Sequence, residues 1–342
     1  MVSVFTVCRV TGQITGVDGG LGAVYPFQTM TDCMIIGAGI SGLLAAKVMT
    51  DAGFSVQICE KGRGLGGRMA TRRRDGAVFD HGAQFLTVRD HRFKKCVDAW
   101  QQAGIIETWY ERDGSGKHFR AAPSMTAIAK HLARDLEVHR ETFVQQVSRA
   151  GHWTIDTSDG RRLESRALIT TAPIPQSLAI LDQANVTVPE TLRSIRFQRC
   201  IVAMAILDRQ SLITANNGAI KLATEPIQWI GDNQRKGISP LPALTIHSTP
   251  AFAEQHWHSP NDEHIPILIE SAQDHLGEAR VLSADGHRWG FSQPTSAFSE
   301  EAYVDHAIRL AIAGDGLVGG RVEGAAISGL TAAAEILTTL AD

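Results

Sequence analysis

Gly37, Gly39 and Gly42 stand in G-x-G-x-x-G spacing, with Ala46 four residues further on. Glycines so placed let a chain turn tightly, let a pyrophosphate approach backbone amides, and let a helix pack close to a strand. Ile40 and Ser41 open the helix that follows, where unpaired N–H groups and the positive end of the helix dipole attract phosphate. Glu60, with Lys61 beside it, lies at the spacing from which a carboxylate accepts a hydrogen bond from a ribose hydroxyl. The chemistry these residue types point to is the grip on a dinucleotide.

That grip requires a strand, a helix and a second strand. Met34, Ile35 and Ile36 read as a short buried parallel strand. The helix from Ile40 carries Leu43, Leu44, Ala45 and Val48, and Gly53 suits its end. Residues 55–59 form the second strand, which Glu60 terminates.

A second motif abuts the first. Residues 63–71 read R-x-x-G-G-R-x-x-[ST] through Arg63, Gly66, Gly67, Arg68 and Thr71. This resembles the second FAD fingerprint of the flavoprotein superfamily that contains amine oxidases, phytoene-desaturase-like enzymes and renalases. Adjacent glycines let the chain cross near the cofactor, and Arg68 offers a fork of donors to phosphate oxygens. The run Arg72, Arg73, Arg74 reads as a solvated basic loop. Next, Asp80, Gly82, Ala83, Gln84 and Phe85 match the D-x-G-A-Q-[FY] segment of renalase-like members. The resemblance implies that Ala83 and Gln84 pass along the isoalloxazine ring, with His81 a structural hydrogen-bonder. It also implies that Val144 lends its backbone to the adenine. Near the C-terminus, Gly314-Asp315 is similar to the third fingerprint, whose carboxylate accepts from a ribityl hydroxyl. The final helix, entered through Val322 and Glu323, then points its dipole at the N1/O2 edge of the ring.

The resemblance spans nearly all of the chain after Met30 and is sharpest toward the renalase family. It rests there on the D-x-G-A-Q-F segment, on W-I-x-D-N-x-x-K from Trp229 to Lys236, on residues 245–248, and on His287-Arg288-Trp289. The implied fold is α/β: a Rossmann-type FAD-binding domain with an inserted α+β substrate domain. We expect a discontinuous FAD-binding domain at 31–88, 125–178 and 286–342, and a substrate domain at 89–124 and 179–285. Residues 1–30 read as a poorly ordered extension. Within these domains we expect a hairpin turn at 113–116, a helix at 124–136 capped by Ser124, a meander at 142–157, a buried strand at 200–207 and an amphipathic helix at 265–276.

The 342 residues carry a net charge of −3, which gives no reason to expect nucleic acid or an anionic membrane as a partner. Five scattered cysteines without a C-x-x-C pair argue for a reducing, cytoplasmic setting and against a cysteine-held metal. No run reaches the roughly eighteen apolar residues of a membrane span.

No Ser/His/Asp order, metal-ligand cluster or carboxylate pair competes for a catalytic role, so the chemistry falls to non-covalently held FAD. The renalase resemblance implies a small-molecule substrate, the 1,2- or 1,6-dihydro isomers of NAD(P), oxidised to NAD(P)+ while O2 becomes H2O2. A dihydropyridine losing hydride becomes aromatic and needs no general base. Trp289 and His247 are the candidates for a stacking wall, with Gln84 near the ring. The alternative is an amine oxidase or desaturase of the same superfamily. Against it, the only lysines after Lys130 are Lys221 and Lys236, aromatics are few, and no cysteine follows Cys200 to form a thioether. A non-catalytic flavin-binding module is a third possibility, which turnover separates from both.

Overall fold

The computed structural model describes residues 30–112, 114 and 116–341. Of the extension expected at 1–30, residues 1–29 lie outside them, as does part of the turn expected at 113–116. Two sheets organise the rest. The first has a parallel centre in which Thr31–Ile36 lies between Arg162–Thr170 and Val56–Cys59. Leu310–Ile312 and Glu137–His139 extend it on either side. The second is antiparallel, in the order Ala219–Thr224, Ile227–Asp232, Ala243–Ser248, Phe197–Leu207, Val281–Pro294.

The parallel centre forms because its strands are apolar on both faces. One face packs the glycine helix Ile40–Asp51 and the final helix Val322–Ala341. The other is covered by Val147, Trp153, Leu178 and Leu192. The two helices cross closely: a Cβ added at Gly329 would stand 2.2 Å from the Ser41 carbonyl oxygen. The final helix is long and apolar enough to cross a membrane, with half of its most apolar window buried. Its apolar face is thus a core face, and the expectation that no segment reaches that length is corrected.

The antiparallel sheet also has two clothed faces. Ile201, Ala203 and Ala205 point to the helices Pro250–Gln255 and Asn261–Ser271. Cys200, Val202 and Met204, which alternate with them, meet Ala77, Phe79 and Trp289. Period-two alternation on one strand thereby places the segment after Phe79 directly under the sheet.

Several expectations change. The boundary at 285/286 falls inside one strand, Val281–Pro294, which pairs along its length with Phe197–Leu207. His287 to Pro294 therefore belong to the antiparallel sheet. The helix His91–Gln102 buries Phe93, Val97 and Trp100 in the core of the parallel sheet, so 89–102 packs with the nucleotide-binding half. The boundary at 178/179 cuts the helix Ile174–Leu181. The arginine run is a strand, Thr71–Arg74, paired with Ala77–Asp80. Arg72 and Arg74 both reach Asp285. The helix expected at 124–136 is Thr126–Leu132, entered from Met125 without a side-chain cap. That expected at 265–276 begins earlier, at Asn261 after Pro260, and breaks at Ala272.

Candidate active site

The nucleotide side is built from backbone. Gly37 adopts φ +105°, open to glycine and strained for other residues, and its N–H donates to the Cys59 carbonyl at 2.8 Å. A Cβ at Gly42 would stand 2.1 Å from the Gly37 carbonyl oxygen, so the turn and the helix touch only because that residue is glycine. Gly39 caps the helix without a side chain, and the first turn holds no acidic residue. The Ser41 hydroxyl is buried with no partner. An amide end with no competing carboxylate and an open hydroxyl suits the pyrophosphate of a dinucleotide. Glu60 accepts from Ala38 N at 2.9 Å and from Gly62 N at 2.6 Å, which fixes its carboxylate at the strand end. Gly66 N donates to the Ala38 carbonyl at 2.9 Å, stacking the Gly66-Gly67 loop on the first glycine turn. Lys61 reaches out to Gln176 at 3.1 Å, and Val144 is buried beside Cys59.

Arg68 departs from expectation. Its guanidinium grips Asp315 bidentately, at 2.7 and 2.5 Å, and donates to the carbonyls of Phe291 and Ser292 at 3.2 and 3.3 Å. The fork assigned to phosphate oxygens thus joins the second fingerprint to the third, 247 residues away. A planar donor pair and a carboxylate in a partly enclosed site favour that geometry. Gly314 N donates to the Ser328 hydroxyl at 2.8 Å, tying the Gly-Asp turn to the final helix, which Val322 opens.

The ring side is built from side chains. Ala83 N donates to the Arg68 carbonyl at 2.8 Å. A Cβ at Gly82 would stand 2.0 Å from that same oxygen and 3.3 Å from Trp289. The His81 carbonyl receives Trp289 Nε1 at 2.9 Å and His247 Nε2 at 3.2 Å. Residues 166 and 208 positions away in sequence therefore converge on one oxygen, three residues before Gln84. The His81 ring stacks on Trp289 with centroids 5.2 Å apart, and His287 meets Trp289 edge-on at 4.3 Å. Burial pushes the His81 imidazole down to about 3 and those of His247 and His287 to about 4, so all three are neutral near pH 7. The wall is uncharged, and His247 and Trp289 also act as clamps on the turn at His81.

Two features escaped the sequence reading. Lys236 donates to Asp80 at 2.7 Å, with both side chains 0% exposed. Asp80 also accepts from Thr71 Oγ1 at 2.6 Å and Met125 N at 3.1 Å, so three donors satisfy its buried carboxyl oxygens. Burial lowers the Lys236 ammonium, and Asp80 opposes that shift. This pair locks the antiparallel sheet onto the start of the Asp80–Gln84 segment. The second feature is a cluster of Phe85, Trp109, Tyr110, His118 and Trp229, with Phe85 at its centre. The only sequence signal was the pairing of D-x-G-A-Q with W-I-x-D-N-x-x-K, whose Asp232 accepts from Gln234 N and Arg235 N and so turns the chain toward Lys236.

Known proteins match this geometry. Residues 35–100 match the family described as NAD(P)-binding Rossmann-like domain. A 4,4'-diapophytoene desaturase of Staphylococcus aureus is 27% identical over 113 residues, covering 30% of this chain and 22% of that protein. The chain spans no more than a quarter of the length of the curated relatives it matches. A structure from Exiguobacterium sp. 255-15, named for protoporphyrinogen oxidase, superposes with TM-score 0.71 at 15% identity over 93% of this chain and 100% of that one. A putrescine oxidase variant superposes with TM-score 0.68 at 15% identity, over 90% and 99% of the two chains. Residues 35–100 thus match a Rossmann-like NAD(P)-binding domain, and the chain shares the mixed α/β fold of these two structures.

Proposed function

We propose that the chain is an FAD-dependent oxidoreductase of the amine oxidase and desaturase type, and within it an oxidase of dihydronicotinamide isomers, the 1,2- or 1,6-dihydro forms of NAD(P). FAD, where bound, would supply the hydride-accepting chemistry that converts the dihydropyridine to NAD(P)+, with O2 as the final acceptor giving H2O2. Gly37, Gly39, Ile40, Ser41, Gly42 and Glu60 would hold the nucleotide, and Gly66, Gly67, Gly314 and Asp315 would bring the chain past its middle. Ala83 and Gln84 would border the ring, with Val144 at the adenine and Val322 at the helix end.

One observation carries the substrate assignment. The wall formed by His81, His247, His287 and Trp289 is neutral, with its histidines held far below their usual protonation range. It offers planar surfaces and orientation without an imidazolium to repel the pyridinium product. A dihydropyridine asks for no more than that, because aromatisation drives hydride loss without a base.

An amine oxidase is the second reading, and the ring cluster around Phe85 favours it. It supplies the aromatic surface that the sequence reading found missing. Anaerobic mixing of the flavin-loaded protein with each reductant separates the two. Rapid bleaching by the 1,2- or 1,6-dihydro isomers, with little response to 1,4-NADH or amines, is expected. Bleaching by an amine and none by the isomers moves the assignment to the second reading.

A further inference from the structure

The neutral wall ends in charge. Asp285, His287 and Trp289 alternate along one strand, so the period of two sets their side chains on one face. Asp285 and His287 stand opposite Met204 and Val202, on the face that meets Ala77 and Phe79. Arg72 and Arg74 alternate in the same way on Thr71–Arg74, and both turn to Asp285. Burial first, and the charge of Arg72 after it, depresses the His287 imidazole, so that guanidinium stands beside the wall.

The hold on these arginines is loose. Arg72 Nη1 and Arg74 Nη1 share a single oxygen, Asp285 Oδ2, at 3.4 and 3.3 Å. A charge-assisted pair closes to about 2.7–2.9 Å, and Arg68 holds Asp315 at 2.7 and 2.5 Å. The other oxygen, Asp285 Oδ1, accepts from Gly286 N at 2.8 Å. Arg74 Nε also donates to Asp75 at 3.2 Å, and Arg73 adds a third positive charge to the strand. The side chains of Arg72 and Arg74 are 42% and 40% exposed, so a ligand reaches them without displacing packed atoms. Exposed pairs of this geometry add little to stability.

We propose that Arg72 and Arg74 form the phosphate subsite of the dihydronicotinamide nucleotide. The pyridine ring lies against His287 and Trp289, and the phosphate on its ribose reaches the two guanidinia at Asp285. A phosphate offers oxygens to both forks at once, where Asp285 offers one. Four residues of extended strand separate Trp289 from Asp285, about 13 Å. A ring, a ribose and a phosphate laid end to end cover that span together with the reach of an arginine. The subsite rests on the dihydronicotinamide reading and names the group that separates a nucleotide from an amine.

The test is equilibrium binding to the flavin-loaded protein, read by calorimetry and by flavin absorbance, without turnover. The probes are oxidised nicotinamide mononucleotide and nicotinamide riboside, which differ only by the phosphate. The mononucleotide is expected to bind about tenfold more tightly at low salt, with the margin shrinking as salt rises. The double variant Arg72→Gln, Arg74→Gln is expected to bring the two probes level, with FAD bound at unchanged stoichiometry and affinity. Equal binding of the probes by the parent protein, or no binding of either, overturns the subsite whether or not the variant folds. So does a preference that survives in the double variant. Loss of FAD together with the preference assigns the arginines to the cofactor's own diphosphate, which overturns it too. If the dihydro isomers bleach the flavin but the probes bind alike, the subsite fails and the reaction stands. If the preference is present and lost in the variant but no isomer bleaches the flavin, the reaction fails and the subsite stands.

Discussion

The two sides of the site are made by opposite means. The nucleotide side is a run of neighbours, Gly37 to Arg68, in which backbone amides and missing side chains would do the binding. The ring side gathers Asp80 to Gln84, Trp229, Lys236, His247, His287 and Trp289, which meet only because two sheets are stacked. The first depends on local conformation, and the second on register across the antiparallel sheet. Damage should therefore differ in kind. A change on the nucleotide side should release the cofactor from a folded chain, whereas one at the ring side's anchor should loosen the fold itself.

Lys236→Met is expected to have the largest effect. It strands the Asp80 carboxylate, and losing one partner of a buried pair costs about 3–5 kcal/mol. Denaturant unfolding should show that loss, with part of it recovered in the double variant that also carries Asp80→Asn. An unchanged midpoint would mean that the pair does not anchor the two sheets. Gly42→Ala comes next, because its Cβ meets a backbone carbonyl that has little freedom to move. Overpacking of about 1–3 kcal/mol predicts FAD binding roughly 5- to 150-fold weaker, measured by flavin fluorescence recovery, in a chain that still folds. Asp315→Ala should weaken FAD retention by about tenfold, since it removes a carboxylate and frees Arg68 from its bidentate pair. Full retention there would leave Asp315 a purely structural partner of Arg68.

Of this molecule, the first glycine turn was readable because Gly37, Gly39, Gly42 and Glu60 lie along one strand-helix-strand unit, and glycine spacing reports backbone geometry directly. Arg68 shows the limit of that kind of reading. Its type announced a bidentate grip, but its partner Asp315 sits at the far end of the chain. On the ring side, His247 and Trp289 were singled out by family resemblance, yet nothing local announced that both would hold the His81 carbonyl. Lys236 was named in a motif but its pairing with Asp80 was not, because sequence shows a lysine and not its burial. The helix at 124–136 was drawn too long because a buried serine reads as a cap in one dimension.

A separate expected effect is a pH dependence of the ring side. His81, His247 and His287 have folded pKa values depressed to about 3, 4 and 4. The unfolded chain takes up protons near pH 6.5 and the folded one does not, so their contribution is present above that pH and lost as pH falls toward 4. The melting temperature should fall across that window, and His287→Asn should flatten the slope by about one proton. Variants on the nucleotide side should leave the slope unchanged, which would separate the two sides cleanly.

The central claim is that both ends of the chain close around one FAD while the antiparallel sheet covers its ring. Visible absorbance and acid release of the purified, FAD-reconstituted protein test it most directly. One flavin per chain, released intact on denaturation and lost in Gly42→Ala but not in His247→Ala, is the expected result. A colourless protein that takes up no FAD would contradict it.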